Sequence, residues 1–150
     1  MEYELMPRIV LEKPPAGVDF GLQKGRGSEY EVIQRQKSTT TDLQFDFTVH
    51  ARVGRKGGAP DFLGALVQGP PAERFVYVDI GTYAGQRGSP WNRRLKVPLS
   101  GITWSLIRKA SADSGAVLEV RVEAAGRGDG PNCGTAETLN GWTLVRSGSR

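Results

Sequence analysis

Apolar and polar side chains alternate without exception along residues 43–53, LQFDFTVHARV. The odd-numbered positions are apolar and the even-numbered positions are polar. Successive side chains of a β-strand point to opposite faces, whereas a helix would need apolar residues at spacings of three and four. The segment therefore predicts an antiparallel strand with one face on a core and one face in water.

Other short apolar segments predict further strands. They lie at residues 8–12, 18–23, 62–68, 74–82, 94–97, 117–123 and 142–146. Glycine and proline, with 20 and 9 residues, cluster between these segments and mark turns. Segments 62–68 and 74–82 flank the turn GPPAE and are expected to form a hairpin. Residues 29–37 fit either a short helix or an irregular strand.

One helix is predicted at residues 101–111, where the apolar spacing becomes helical. Ser100 is the predicted N-cap, because its hydroxyl can accept a hydrogen bond from a free amide of the first turn. Arg108 and Lys109 fall in the last turn, where cations favour the negative end of the helix dipole. The whole pattern predicts an all-β fold of about eight antiparallel strands, arranged as a sandwich or a distorted barrel with this one helix.

The length of 150 residues corresponds to a single domain. Residues 1–6 are expected to be a flexible extension, with Met6 as an alternative natural start. The one cysteine excludes an intramolecular disulfide. The first residues lack the apolar run of a secretory signal, and no run approaches the ~18 residues of a membrane helix. These features predict a soluble, cytoplasmic protein that does not bind membranes.

The formal net charge of +4 indicates only mild basicity. The Lys and Arg residues are spread over many loops and never form a run of five like charges, so nucleic-acid binding through basic loops is an alternative that the sequence does not favour. No sequence motif predicts a cofactor. A Cys/His metal cage would have only Cys133 and His50, so no metal site is predicted.

Three tripeptides resemble functional motifs by chance. DFG at residues 19–21 lacks the glycine loop, strand lysine and catalytic loop of a kinase. The basic turn Gly25-Arg26-Gly27 does not match a phosphate loop and is best interpreted as a β-turn. RGD at residues 127–129 lies in a glycine-rich loop, and turns draw on Gly and Asp for conformational reasons.

The predicted ligand site lies around Asp79. This carboxylate interrupts the apolar strand RFVYVDIGTY, so it must face water or have a partner. Tyr83 and Trp91 follow it and provide aromatic surface, while Arg93 and Arg94 provide guanidinium groups that bind carboxylate or phosphate. The hypothesis is a non-enzymatic binding module for a small polar or anionic ligand, or for a protein partner. The alternative is that Asp79 forms an ion pair with an arginine and has no ligand.

An enzyme is the second hypothesis. A catalytic thiol needs a base that removes its proton, so a small hydrolase or transferase would use Cys133 with His50. This pair requires the Cys133 loop to fold over the wet face of the strand that carries His50. The alternative is an inert thiol and a solvent-facing imidazole, which the absence of a flanking motif favours.

Four longer stretches carry a family resemblance: PPAGVDFGLQKGRG, QGPPAERFVYVDIGTYAGQ, RRLKVPLSGITW and GRGDGPNC. With them the chain resembles an uncharacterised family of small bacterial proteins that is classified as a domain of unknown function. The resemblance covers nearly the whole chain after Met6. It implies a free-standing, single-domain bacterial protein and supplies no activity, cofactor or catalytic residue.

Overall fold

The computed structural model describes residues 2–14, 16–26, 29–54, 58–80, 93–123, 132–135 and 141–146. These residues form twelve strands, one α-helix and one short 3-10 helix. The strands are β1 (Glu2–Leu5), β2 (Arg8–Glu12), β3 (Asp19–Arg26), β4 (Glu29–Lys37), β5 (Leu43–Asp46), β6 (Val49–Val53), β7 (Pro60–Leu63), β8 (Phe75–Ile80), β9 (Arg93–Pro98), β10 (Ala116–Glu123), β11 (Asn132–Thr135) and β12 (Thr143–Arg146). The α-helix, α1, spans Trp104–Ala112 and the 3-10 helix spans Pro71–Glu73. The all-β prediction is confirmed.

The strands form three open sheets. Their orders are β1-β6-β7, β12-β10-β2-β5 and β11-β9-β8-β3-β4. Within the described ranges no sheet closes on itself, and apolar side chains from all three sheets form one core cluster. The fold is therefore sandwich-like and has a single domain. Two strand pairs are parallel, β2 with β10 and β9 with β11, so the expectation of purely antiparallel strands was wrong.

The alternating segment at residues 43–53 is divided between two sheets. Its first half forms β5 in the four-stranded sheet, and its second half forms β6 in the three-stranded sheet. Burial alternates through both halves, and the buried residues are Leu43, Phe45, Phe47, Val49 and Ala51. The predicted core face is therefore confirmed up to the last position, where Val53 is 55% exposed.

Pro7 explains why this strand is interrupted. The pairs on either side of it share one register, because Leu5 lies opposite Val49 and Arg8 lies opposite Asp46. Between them the Phe47 amide donates to the Pro7 carbonyl at 3.1 Å. Proline has no N–H with which to return this hydrogen bond. The ladder therefore breaks here while the two faces of the strand stay in phase.

The N-terminal residues belong to the three-stranded sheet rather than extending from the domain. β1 pairs antiparallel with β6. Leu5 is buried in the core cluster, and Tyr3 packs against that cluster with its ring centroid 6.1 Å from the Trp104 ring. The alternation of Tyr3 and Leu5 with two glutamates explains this arrangement, since a strand needs only a few such positions to bury one face.

The expected hairpin between segments 62–68 and 74–82 was wrong. β7 pairs with β6, and β8 pairs with β3 and β9. The chain turns within residues 64–67, where the Val67 amide donates to the Gly64 carbonyl at 3.2 Å. Among the described residues of the two segments a single bridge joins them: Gln68 and Phe75 exchange backbone hydrogen bonds of 2.9 and 3.0 Å. The prolines of the intervening turn form the 3-10 helix instead of a tight hairpin loop.

The sequence left two alternatives for residues 29–37, a short helix or an irregular strand, and the structure has the irregular strand. They form β4, which pairs with β3 and contains Gln34 at a φ of 51°. The register between β3 and β4 shifts between Phe20 and Leu22, which indicates a bulge. The DFG tripeptide lies inside β3. Its Phe20 is buried in the core, so the tripeptide has a structural role.

The helix begins later than expected, at Trp104, and its N-cap is Thr103 rather than Ser100. The Thr103 hydroxyl accepts a hydrogen bond from the Leu106 amide at 3.2 Å. Ile102 is fully buried and its amide donates to the Leu99 carbonyl at 3.0 Å, so a turn precedes the helix. Because Ile102 is buried in this turn, the helix begins only after Thr103, and Ser100 lies three residues before the N-cap.

Replacing Thr103 with alanine is expected to lower the free energy of unfolding by about 1 kcal/mol, because a first-turn amide loses its acceptor. Ser100→Ala is the matched control and is expected to change it by less than about 0.5 kcal/mol. Urea denaturation of both variants tests the difference. Equal losses in the two variants would contradict the assignment of the cap to Thr103.

Candidate functional site

A cleft of about 990 Å³ opens between the end of β6, strand β7 and the 3-10 helix. Its volume falls in the range typical of small-molecule sites. The lining residues are Arg52, Val53, Gly54, Ala59, Pro60, Asp61, Phe62, Pro71, Ala72, Arg74, Ser100 and Ile102. Charged groups are therefore few and are set among mostly apolar side chains.

Two arginines meet one carboxylate on the cleft wall. The Arg74 Nε donates to Asp61 Oδ1 at 3.1 Å, and the Arg52 Nη2 lies 3.5 Å from Asp61 Oδ2. The antiparallel register of β6 and β7 places Arg52 directly opposite Asp61. Arg74 follows the 3-10 helix, and its Nη1 also donates to the Gly69 carbonyl. The three charged side chains are therefore held by the sheet on one side and by a short turn on the other.

In this cluster two guanidinium groups face the carboxylate of Asp61, and Glu2 of β1 lies opposite Arg52 on the other side of β6. Asp61 is buried, with 7% exposure, whereas the Arg52 side chain is 52% exposed. A guanidinium has several N–H donors, and the contact of Arg52 with Asp61 uses Nη2. The other donors of Arg52 can therefore bind an anion that enters the cleft.

A second pocket of about 330 Å³ lies beside the cleft. The two share Ala72, Arg74 and Ser100 in their walls. The second pocket adds Lys96, whose Nζ lies 4.5 Å from the centroid of the Phe75 ring. This is a cation–π contact. Glu73 lines the same pocket, which therefore adds one basic and one acidic residue to this side of the molecule.

Asp79, the centre of the predicted ligand site, lies in β8 and is only 2% exposed. Its backbone is opposite Gly21 of β3 and Arg94 of β9. The register therefore brings Asp79 and Arg94 to adjacent positions, as both the ligand-site hypothesis and the ion-pair alternative require.

The other members of that predicted site are described in part or not at all. Arg93 lies opposite Ile80 in the β8–β9 ladder. The side chains of Arg93 and Arg94 lie outside the described part of the structure, as do Tyr83 and Trp91 entirely. The ligand site around Asp79 stays a prediction.

The two residues of the enzyme hypothesis lie in different sheets. His50 is in β6, with its Nδ1 3.3 Å from a Glu2 carboxylate oxygen and its Nε2 3.9 Å from a Glu4 carboxylate oxygen. The backbone of Cys133 is in β11, opposite Arg94, and its side chain lies outside the described part. β6 has β1 and β7 as neighbours, whereas the described neighbour of β11 is β9. The sheet topology therefore does not bring Cys133 and His50 onto adjacent strands.

Family membership follows from a match over nearly the whole chain. The model of DUF5990, a family of unknown function, matches residues 5–145. The chain belongs to the DUF5990 family. This confirms the resemblance to a domain of unknown function. No curated protein and no solved structure is significantly similar to the chain.

A larger charged cluster on the four-stranded sheet of the DUF5990 protein has a structural role. Arg121 contacts Glu12, Asp42 at 2.8 Å and Glu119 at 3.1 Å. Hydrogen bonding to Glu12 raises the pKa of the Arg121 guanidinium above its ordinary value. Because the pKa of Arg121 is raised in the folded state, rising pH removes this stabilisation only above the ordinary arginine pKa. The ion pairs of this cluster therefore link β2, β10 and the start of β5.

Among the described residues, no group of three or more His, Cys, Asp or Glu side chains is placed to hold a metal ion. In the same residues, no helix has the length and apolar character needed to cross a membrane.

Sequence reasoning missed the cleft, although one signal pointed to it. Residues 54–60 read GRKGGAP, a glycine-rich connection of the kind that joins two antiparallel strands. Extending the alternating strand into such a hairpin would have placed Arg52 near Asp61. No local signal pointed to Arg74, which follows the 3-10 helix and contacts Asp61 across a separation of 13 residues in the sequence.

Proposed function

We propose that this DUF5990 protein is a non-enzymatic binding module for a small anionic ligand, which binds in the cleft beside Arg52. The observation that carries the proposal is the pair of guanidinium groups around the buried carboxylate of Asp61. A concave site with few polar groups on apolar walls is the usual form of a small-molecule site. This is the small-anion part of the function predicted from the sequence, which also included a polar ligand or a protein partner, and it is proposed at a different location.

The cationic wall is preorganised. Asp61 and Gly69 hold Arg74 from two directions, so its guanidinium is fixed before any ligand arrives. The β6–β7 register fixes the position of Arg52 on the sheet. A site that is ordered in advance loses less conformational entropy on binding than a flexible one. Arginine also remains charged over the whole physiological pH range.

The two arginines have different roles in this proposal. Arg74 mainly supports the wall, because its side chain is only 19% exposed and bonds both Asp61 and the Gly69 carbonyl. Arg52 is the ligand-binding residue, because it is exposed and lies on the cleft surface. Replacing Arg52 therefore tests function with the smallest effect on folding.

Arg52→Gln is expected to weaken binding of an anionic probe about tenfold, since a hydrogen bond to a charged group contributes about 1.5–3 kcal/mol. Sodium acetate and inorganic phosphate are the probes, and isothermal titration calorimetry measures the affinity. Arg108→Gln on the exposed surface of α1 is the control, because it changes the net charge equally away from the cleft. Its binding is expected to match that of the unaltered protein.

Equal weakening in both variants would show that the anion responds to overall charge, and would contradict binding at the cleft. Thermal denaturation in the absence of anion provides the folding control. Arg52→Gln is expected to shift the free energy of unfolding by less than about 1 kcal/mol, because an exposed ion pair contributes little.

The residues around Asp79 remain the predicted alternative location for the same function. If acetate and phosphate bind equally well to the unaltered protein and to Arg52→Gln, that location becomes the better hypothesis. A bacterial, cytoplasmic protein, as predicted from the sequence, fits a binding module for a small metabolite-sized anion.

A further inference from the structure

We propose that Trp104 is a positioning residue for the cleft, although it is not among the described residues that line it. The inference rests on the proposed function and identifies a residue outside the site that sets the geometry of the site. Trp104 is the first residue of α1. Its indole Nε1 donates a hydrogen bond to the Gly58 carbonyl at 2.6 Å, and the two residues are 46 positions apart in the sequence. This hydrogen bond links the helix to residues 58–60, the wall segment.

The wall segment forms part of the cleft surface. Ala59 and Pro60 follow Gly58 directly, and both line the cleft. Gly58 has a φ of 79°, and a Cβ at this position would have no described neighbour within 4 Å. The hydrogen bond from Trp104, rather than close packing, therefore fixes this position within the described part of the structure.

The wall segment continues into the charged cluster of the cleft. β7 carries Asp61, which lies three residues after Gly58. The Asp61 carboxylate contacts the guanidinium groups of Arg52 and Arg74. A shift of Gly58 would therefore displace the carboxylate that holds both guanidinium groups. Trp104 thus acts on the site through Asp61 and needs no contact with the ligand.

Trp104 is itself held by the core. Its ring packs against the core cluster and against Tyr3, with the two ring centroids 6.1 Å apart. Tyr3 of β1 lies opposite Ala51, the residue before Arg52. Ile102, two residues before Trp104, is fully buried and also lines the cleft. The start of α1 is therefore fixed to the core on one side and bonded to the wall segment on the other.

The size of the expected effect follows from the environment of this hydrogen bond. The bond from Trp104 to Gly58 is exposed, so water competes with it. Such a bond shifts the equilibrium between a positioned and a displaced wall segment by about two- to tenfold. An anion that binds only the positioned form cannot lose more affinity than this factor when the bond is removed.

Trp104→Phe tests the inference first without any anion, because phenylalanine keeps an aromatic ring against Tyr3 and removes the N–H donor. Amide hydrogen exchange, followed by mass spectrometry, measures how often each segment opens. Exchange in residues 58–63 is expected to be about two- to tenfold faster in this variant, and exchange in the core strand β2 is expected to change by less. Ser105→Ala, at an exposed position next to Trp104, is the matched control and is expected to change neither segment.

Binding of acetate and inorganic phosphate then tests the link to the site. Calorimetry is expected to show that both probes bind Trp104→Phe about two- to tenfold more weakly, by a similar factor, because the arginines themselves are unchanged. Saturating phosphate is also expected to change the tryptophan fluorescence of the unaltered protein, and this change is expected to be lost in Trp104→Phe. The measurements are made well below the thermal midpoint of each variant, so that global unfolding contributes to neither result.

Three other results would overturn the inference. If exchange in residues 58–63 is unchanged, or accelerates only as much as exchange in β2, Trp104 does not hold the wall segment. If exchange accelerates in residues 58–63 alone but both probes bind Trp104→Phe as tightly as the unaltered protein, the wall segment does not position the cluster. In both cases, binding that depends on Arg52 leaves the proposed function intact. If neither probe binds the unaltered protein, the proposed function fails and this inference fails with it.

Discussion

Replacing Phe45 with alanine is expected to lower the free energy of unfolding by about 3–5 kcal/mol. Phe45 is fully buried, lies opposite Ile9 in the β2–β5 pair and belongs to the core cluster. Truncation removes most of an aromatic side chain and leaves a cavity that the surrounding strands can fill only in part. Since domains typically have only about 5–15 kcal/mol of stability, this loss would be a large fraction of the total.

Urea denaturation measures this loss, and Thr48→Ala is the control. Thr48 lies in the same alternating segment but on the exposed face. Its replacement is expected to change the free energy of unfolding by less than about 0.5 kcal/mol. A similar loss at both positions would contradict the assignment of opposite faces to the odd and even residues of this segment.

Gly69→Ala is expected to lower the free energy of unfolding by about 3 kcal/mol, for two reasons that add. Gly69 has a φ of 93°, a conformation that costs a residue with a side chain about 1–3 kcal/mol. A Cβ at this position would also lie 2.6 Å from the Glu73 carbonyl oxygen and 2.6 Å from the Phe75 ring. The clash with a backbone atom requires the turn itself to move.

Gly17→Ala separates the two costs. Gly17 also has a positive φ, 74°, but a Cβ there would have no neighbour within 4 Å. It therefore measures the conformational cost alone, about 1 kcal/mol. Chemical denaturation of both variants gives the comparison. If Gly17→Ala costs as much as Gly69→Ala, close packing around the turn contributes nothing.

Gly69 also connects stability to the candidate site. Its carbonyl accepts from Arg74, which in turn bonds Asp61 on the wall of the cleft. A turn displaced by the Gly69→Ala clash would release Arg74 from one of its two supports. Anion binding is therefore expected to weaken in this variant even at temperatures where it remains folded.

The strands show which structural features follow from local pattern. The alternation in residues 43–53 specified the buried face correctly through the break at Pro7, and the segments corresponding to β2, β3, β8, β9, β10 and β12 were all recognised. The hairpin expected across the GPPAE turn was wrong, because β7 pairs with β6. The alternation of buried and exposed side chains depends on one strand alone. The pairing of strands depends on which other strand has a complementary edge.

The helix N-cap and the candidate site also depended on contacts between distant parts of the chain and not on local sequence pattern alone. Ser100 and Thr103 are both suitable capping residues, and the burial of Ile102 in the core decided between them. Asp79 was recognised as a carboxylate that must be accommodated in an apolar strand, and it is buried. The Arg52–Asp61–Arg74 cluster was not recognised, because its members come from β6, β7 and the turn before β8.

The sequence by itself determined the strand-rich class, the inward face of the main strand and the absence of an intramolecular disulfide. Each of these depends on neighbouring residues or on composition, and the alternation of side chains along a strand is a property of the backbone. Only the tertiary structure decided the three-sheet arrangement, the parallel pairs and the meeting of two arginines at Asp61. These features depend on long-range pairing, in which many strand edges compete and the packing of the whole core selects one arrangement.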